Sequence, residues 1–526
     1  MQVIKNIGLV IFLIGLAVFT ALPLSGSFHL NEADFDKLIT TQNIKSEVFI
    51  KDLKLNIVGK DFNGMQYLSP IISTILENAN KTHTKNKEWD KKIYTKSSDM
   101  AAIIGKKSAN GFIANNKGLM WMLTFGLCII GSLLFILPNV ILHGKKGIKN
   151  NGIYHKSATN RGWIGWMVFI FLVLFYLVLY FASEYATNWT LLVDPISESL
   201  SGNLAGHWFV YGFMYCVVMA VMAVRMYIKY RHNIYQIFRT TSVLFFQIVF
   251  AFLIPEIMVR LQMPYYDFKN AFPLDYDFFF QWNLKELTNN GGIGIFILVW
   301  GIVLTLIIVP IMVYFFGKRW YCSWVCGCGG LAETLGDPYR QHSDKSLFAW
   351  KVERYLIHAV LGFVLIMTIM TLYSFFSETG IVLGIKTATV QNIYSVIIAS
   401  VFAGVIGTGF YPIFGNRVWC RFGCPLAAYL GFVQRFKSRF RITTNGGQCI
   451  SCGNCSTYCE QGIDVRAYAQ KGENIVRSSC VGCGICSAVC PRGVLKLENG
   501  PEKGRINPTE ILLGNDVDLI HLINQK

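Results

Sequence analysis

The chain has 526 residues, of which 53% are hydrophobic, 14% aromatic and only 15% charged, with a formal net charge of +17. The length allows roughly two to four ordinary domains, but this balance excludes an ordinary soluble protein and points to an integral membrane protein. The positive charge does not imply a nucleic-acid partner, because it is spread over membrane-flanking loops, where retention on one side and contact with anionic lipid account for it.

Eight apolar stretches come close to the ~20 residues a helix needs to cross the hydrocarbon core. They lie at about 5–25, 118–143, 162–184, 207–228, 241–262, 292–316, 354–376 and 391–413. The first, within residues 1–25, is read as an uncleaved membrane anchor, with a signal peptide as the alternative. Lys and Arg resist translocation, so loops rich in them mark the inner side. Lys145, Lys146, Lys149, Lys156 and Arg161 crowd one loop, and Lys229, Arg231 and Arg239 follow the fourth stretch. The loop at 187–206 carries Asp194 and Glu198 and no basic residue. The expected protein is therefore a multi-pass protein of a bacterial inner membrane with its C-terminal region in the cytoplasm.

Residues 26–117 form an expected extracytoplasmic segment without cysteine or recognisable motif. The transmembrane core, 118–414, contains an internal echo. GKRWYCSWVC at 317–326 and GNRVWCRFGC at 415–424 share Gly, Arg and both cysteines, each at the end of an apolar stretch, which suggests a duplicated unit. Residues 415–441 read as a C-x3-C-P segment and basic linker, 442–500 as a compact cysteine-rich domain, and 501–526 as a tail.

Cys449, Cys452, Cys455 and Cys459, then Cys480, Cys483, Cys486 and Cys490, repeat the spacing C-x2-C-x2-C-x3-C. Such a loop directs three thiolates at one iron–sulfur cube, while the fourth reaches a second cube. A reducing compartment argues against disulfides, and structural zinc sites seldom use two runs of four. The repeat resembles the bacterial ferredoxin with two [4Fe-4S] clusters. That resemblance implies an α+β domain in which Cys449, Cys452, Cys455 and Cys490 hold one cluster and Cys480, Cys483, Cys486 and Cys459 the other. Glu460 follows Cys459 where that family commonly has Pro.

Paired cysteines at helix ends, feeding a two-cluster ferredoxin, resemble the NosR/NapH/CcoG group of membrane polyferredoxins. The resemblance covers about 290–500. It implies electron transfer between quinol or a cytoplasmic donor and a respiratory or reductase acceptor. The alternatives it leaves are a copper reductase or metalloenzyme assembly factor and a cluster-bearing membrane scaffold. Cys420-x3-Cys424-Pro425 matches the group's motif fully. Cys322-x3-Cys326 is followed by Gly327, with Cys328 as an extra thiol and further candidate metal ligand. For Cys322, Cys326, Cys420 and Cys424, three chemistries stay open: a dithiol relay, copper(I) binding, or a further iron–sulfur centre. The pairs are expected to meet near the inner membrane surface. Placed on a helix, Cys322 and Cys326 would share one face, whereas Pro425 favours a turn at Cys424.

No sequence for covalent flavin attachment occurs in 26–117. Glu256 and Arg260, four apart in an apolar helix, are read either as a quinone or proton site or as a simple ion pair. The expected partners are membrane lipid, a quinone or redox protein, and a partner reductase.

Overall fold

The computed structural model describes residues 2–142, 161–445 and 448–499. Lys145, Lys146, Lys149 and Lys156 and the 501–526 tail lie outside the described residues. The protein is an α-helical integral membrane protein with a C-terminal ferredoxin domain. Eight helices are long and apolar enough to cross a membrane: Gln2–Leu24, Lys117–Pro138, Trp163–Phe181, His207–Lys229, Ile234–Arg260, Gly291–Phe316, Leu347–Ser377 and Thr387–Gly409. The fifth and seventh begin about two turns before their apolar stretches do. Polar N-caps explain this: the Asn233 side chain accepts from Gln236 N, and the Ser346 hydroxyl from Ala349 N, so amphipathic turns are added to each apolar run.

The first two spans pack through glycines. A Cβ at Gly131 would stand 2.8 Å from the Gly8 carbonyl oxygen, and one at Gly15 would stand 3.0 Å from Cys128 Sγ. Cys128 is therefore a small packing residue, as small side chains let membrane helices approach. The fifth, sixth and eighth spans each contain a π-helical stretch, at Phe246–Leu253, Leu304–Ile308 and Tyr394–Ile406. Each stretch contributes a residue to one core around the paired cysteines: Phe246, Leu304 and Phe402. Such bulges re-aim side chains and recur at functional sites.

Residues 27–115 fold into a small unit of helices Glu32–Thr41, Glu47–Asn56, Met65–Lys85 and Ser97–Ser108. A short three-stranded sheet accompanies them, with Ser27–His29 between Asp61–Phe62 and Ala109–Asn110. Its core includes Phe28, Phe49, Leu53, Leu68, Ile72 and Ile104. The unit is tied to the Thr187–Ser201 helix, just before the fourth span. The ferredoxin domain packs at the other end of that span, where Tyr230 and Met226 meet Tyr458 and Ile485.

In the ferredoxin domain, strands Phe440–Thr444 and Leu495–Asn499 pair antiparallel, with Ile442 opposite Leu497. Two short helices, Asn454–Thr457 and Ile485–Ala488, start after Gly453 and Gly484, whose φ values are 76° and 73°. Glycine adopts this left-handed region at little cost. The two cysteine runs are thus two copies of one turn-and-helix unit.

Candidate redox site: two thiol sets joined by buried charge

The duplicated cysteine motifs have the same local geometry. Gly317 and Gly415, with φ of 68° and 88°, each end a helix and turn the chain back. Cys326 N donates to Tyr321 O at 2.8 Å, and Cys424 N to Trp419 O at 2.9 Å. Both Cys326 and Cys424 are extended N-cap residues, of helices Gly327–Thr334 and Pro425–Phe436. The turn expected at Cys424 alone therefore occurs at Cys326 as well, replacing the single helical face expected for Cys322 and Cys326. Gly327 allows it without Pro because the N-cap geometry is set by the backbone bond to Tyr321. Cys322, Cys326, Cys420 and Cys424 are all buried, whereas Cys328 is exposed.

The segment that follows the first pair packs against the middle of the fourth span. Gly330 packs against Met219 Cε, its Cβ position being 2.9 Å away. Met219 lies within His207–Lys229, about 18 Å from its start and 15 Å from its end. The first cysteine segment thus doubles back among the spans, as irregular backbone does only where protein shields it. The loop after the fifth span enters from the opposite end. Tyr321 Oη donates to Lys269 O at 2.9 Å and accepts from Ala271 N at 3.3 Å.

Four thiols of the ferredoxin domain, Cys449, Cys452, Cys455 and Cys490, line one pocket, and Cys459, Cys480, Cys483 and Cys486 line another. Among the described residues, no three thiol sulfurs of any set lie within 4.8 Å of one another. Burial pushes the thiols of Cys455 and Cys480 up to about 11, so both stay protonated at neutral pH unless a bound metal takes the proton's place.

The second ferredoxin pocket lies against the first cysteine motif. Ser323 Oγ donates to Val481 O at 2.8 Å, and Lys318 Nζ to Ser478 O at 3.2 Å. Gln236 Nε2 donates to Cys483 O at 2.8 Å. The arginine shared by the two motifs clamps this domain twice: Arg319 lies 4.7 Å over the Phe440 ring, and Arg417 Nε donates to Glu460 Oε1 at 2.9 Å.

Between the thiol sets runs a buried charge network. Glu333 pairs with Arg239 at 2.6 Å, Arg417 at 2.5 Å and also Arg340. Asp337 pairs with Arg225 at 2.6 Å and with Lys229 and Arg340 at 2.8 Å. Glu460 pairs with Arg417 and Arg340. Burial works against ionising Glu333, but the three guanidiniums outweigh it and hold the carboxyl down at about 2. Asp337 is likewise held well below the usual carboxylate range, by Lys229, Arg225 and Arg340 against the cost of burial. Five basic residues thus surround three acids in this network, leaving positive charge beside the thiols. Arg417 Nη1 lies 3.6 Å from Cys420 Sγ. Burial raises the Cys420 thiol pKa and Arg417 opposes that shift, so the positive charge suits an anionic group bound to the thiols. Sequence reading had noted Glu460 only as a departure; Glu333, Asp337 and Arg340 carry no motif and were missed.

Other predicted residues lie apart. Glu256 and Arg260 form no ion pair with each other among the described residues. Arg260 donates to the Ser199 carbonyl and Glu256 bonds Ser201, so both tie the fifth span to the Thr187–Ser201 helix. In the 27–115 unit, His83 Nε2 lies 2.7 Å from Ser46 Oγ and Nδ1 2.8 Å from Glu88 Oε2. This has the form of a hydrolytic triad, but Ser46 is fully buried and its hydroxyl caps a helix by accepting from Phe49 N. The arrangement is structural.

Residues 420–495 match the 4Fe-4S dicluster domain family and residues 297–346 a 4Fe-4S binding domain family. The chain is 28% identical over 178 residues to YccM of Escherichia coli, named for electron transport, covering 30% of this chain and 46% of that one. It is also 28% identical over 161 residues to the methylamine utilization ferredoxin-type protein MauN of Methylobacillus flagellatus, covering 30% and 53%. The chain spans about half the length of these relatives. No solved structure matches it. The 4Fe-4S domain matches, the relatives' names and the eight apolar helices together point to iron–sulfur electron transfer by a membrane protein.

Proposed function

We propose that the protein passes electrons between quinol or a cytoplasmic donor and the acceptor of a respiratory or reductase system. It would do so as a NosR/NapH/CcoG-type polyferredoxin of a bacterial inner membrane, with the ferredoxin domain in the cytoplasm. Cys449, Cys452, Cys455 and Cys490 hold one [4Fe-4S] cluster in this reading, and Cys459, Cys480, Cys483 and Cys486 the other. Bound there, such clusters supply one-electron transfer without bond chemistry.

The observation that carries the reading is the contact between the second ferredoxin pocket and the first cysteine motif, through Ser323, Lys318 and Val481. It makes a continuous route from the ferredoxin domain to the thiols between the spans. At the far end, Cys452 and Ile450 are exposed, which suits the first pocket to a soluble redox partner. Cys322, Cys326, Cys420 and Cys424 extend the route inward. In this reading they hold a further iron–sulfur centre, with a dithiol relay or copper(I) as the alternatives. A purely anchoring scaffold leaves these buried thiols and their positive surroundings without a use.

The test is anaerobic purification with iron, sulfide and copper counted per chain, followed by electron paramagnetic resonance on reduction. About eight irons are expected from the ferredoxin domain, with more if the four buried thiols hold a centre. Fewer than about eight in a fully loaded sample overturns the two-cluster reading. Cys420→Ser with Cys424→Ser should keep the ferredoxin signals and stop transfer through the protein. Unchanged transfer removes the buried thiols from the route.

A further inference from the structure

The two ferredoxin pockets differ in the charge set against them. Among the described residues, the first is lined by Arg466 and Arg492, both exposed, and by no acid. The second is lined by Glu460 and by no base. Its thiol Cys483 has two carboxylates as neighbours: the ligand atoms of Glu333, Glu460 and Cys483 all lie within 4.8 Å of one another. Both acids are buried, so water screens their charge little.

The surrounding bonds hold all three groups in place. Arg239 Nη1 and Gln236 Nε2 donate to Cys483 O at 2.5 and 2.8 Å, so the fifth span grips the backbone of the thiol itself. Arg417 Nη2 donates to Glu333 Oε1 at 2.5 Å and its Nε to Glu460 Oε1 at 2.9 Å. Asn416 Nδ2 donates to Glu460 Oε2 at 3.2 Å. One guanidinium therefore orients a carboxylate from the membrane core and another from the ferredoxin domain. Docking the domain accounts for Glu460 facing Arg340 and Arg417. It does not account for a second acid, from helix Gly327–Thr334, converging on the same thiol.

We propose that Glu460 and Glu333 are positioning residues whose fixed negative charge lowers the reduction potential of the iron–sulfur centre held through Cys483, while leaving that of the exposed first centre unchanged. Reduction adds one electron and no proton there, so the site gains one negative charge. A carboxylate beside the thiol, shielded from water, opposes that gain, and net charge is among the factors that set such potentials. The effect is one of fixed charge and needs no titration. It gives the departure from proline at 460 an electronic consequence beyond the seating of the domain. The inference rests on the two-cluster reading of the ferredoxin domain.

The test is potentiometric titration of the full-length, cluster-loaded protein, with dithionite as reductant and electron paramagnetic resonance as readout. Signals that persist in Cys420→Ser with Cys424→Ser come from the ferredoxin domain, and the one relaxed by a soluble dysprosium chelate is the exposed first centre. In Glu460→Gln the other midpoint should rise by about 59 mV, a ~10-fold change in the ratio of reduced to oxidised centres, while the exposed midpoint stays. Glu460→Asp, which keeps the charge, should bring it back. Arg340→Gln, which removes a positive charge from the same network, should lower it. A merely structural role predicts otherwise, because a loosened interface admits water and moves the midpoint the same way in both variants. Where Glu460→Gln does not load, Glu333→Gln decides in its place, with the same expected rise. An unchanged midpoint in the loaded variant, or shifts of one sign in Glu460→Gln and Arg340→Gln, overturns the inference and leaves the two-cluster reading standing. Fewer than about eight irons in fully loaded wild-type protein overturns that reading and the inference with it.

Discussion

Glu460 Oε1 accepts from Arg417 Nε at 2.9 Å, and Arg417 Nη1 reaches to 3.6 Å from Cys420 Sγ. One guanidinium thus joins the residue after Cys459 to a thiol of the other set. A proline at 460, common in the ferredoxins this domain resembles, would end the loop and offer no charge. The acid here sets the ferredoxin domain into the basic pocket formed by Arg340 and Arg417, and so fixes the distance between the two thiol sets.

Removing that acid leaves two buried guanidiniums short of a partner. Breaking a buried pair from one side costs about 3–5 kcal/mol. Glu460→Ala should therefore destabilise the docked ferredoxin domain by about that amount, and Glu460→Gln by less because it keeps a hydrogen-bond acceptor. Limited proteolysis between the last span and Phe440, with thermal unfolding alongside, measures this. Wild-type resistance in Glu460→Ala would show that the network does not hold the domain.

The same network predicts an acid-sensitive interface. Glu333 is lowered from 4.5 to about 2, and Asp337 is also lowered. A depressed carboxyl pKa stabilises the fold above the unfolded value, and this stability is lost as pH falls through the folded one. Thermal midpoints should thus fall between about pH 4.5 and 2. In Glu333→Gln that part of the pH dependence should shrink, with a lower midpoint at neutral pH. An identical pH profile in Glu333→Gln would count against the ionised network.

Much of this architecture was legible because it rests on local pattern. Apolar length marks the spans, and cysteine spacing marks the two ferredoxin units. The depth of the first cysteine segment was not legible. Hydropathy ends the sixth span at Phe316, and nothing in GKRWYCSWVC says that the chain then doubles back to Met219. That placement depends on Gly330, small enough to pack against Met219 and Val243 of two other spans. Glu333, Asp337 and Arg340 were equally hidden, since acids and bases that pair across 84 residues, as Glu333 and Arg417 do, or 120, as Arg340 and Glu460 do, leave no periodic trace. Glu256 and Arg260 looked paired by spacing, but each finds a partner on the Thr187–Ser201 helix instead.

The two turn glycines offer a test of the duplicated geometry. Gly317 has φ 68° and ψ −174°, and Gly415 has φ 88° and ψ 172°, a region essentially closed to other residues and costing about 1–3 kcal/mol to enter. An added Cβ would also stand 2.7 Å from Phe440 Cβ at Gly317 and 2.7 Å from Ser343 N at Gly415. Gly317→Ala and Gly415→Ala should each lower stability by at least that cost. Gly362→Ala, within the seventh span where a Cβ meets nothing within 4 Å, should instead be neutral or stabilising by up to ~1 kcal/mol. Chemical unfolding of the three variants checks the contrast in sign.

At the opposite end of the bundle, Asp194 holds the 27–115 unit in place. It is buried, accepts from Lys106 Nζ at 2.5 Å and Ala205 N at 2.9 Å, and lies 3.5 Å from Lys117 Nζ. Burial lowers the Lys106 pKa, and Asp194 is the strongest influence opposing that shift. Asp194→Ala therefore leaves a largely buried ammonium without its carboxylate and should cost about 3–5 kcal/mol. Asp194→Asn keeps an acceptor for Ala205 N and should cost less. Hydrogen exchange provides the measurement: protection should fall across Ser97–Ser108 and Thr187–Ser201 in Asp194→Ala, while Leu347–Ser377 stays unchanged. Loss of protection spread evenly over all spans would mean that Asp194 supports the whole bundle rather than the seating of this unit.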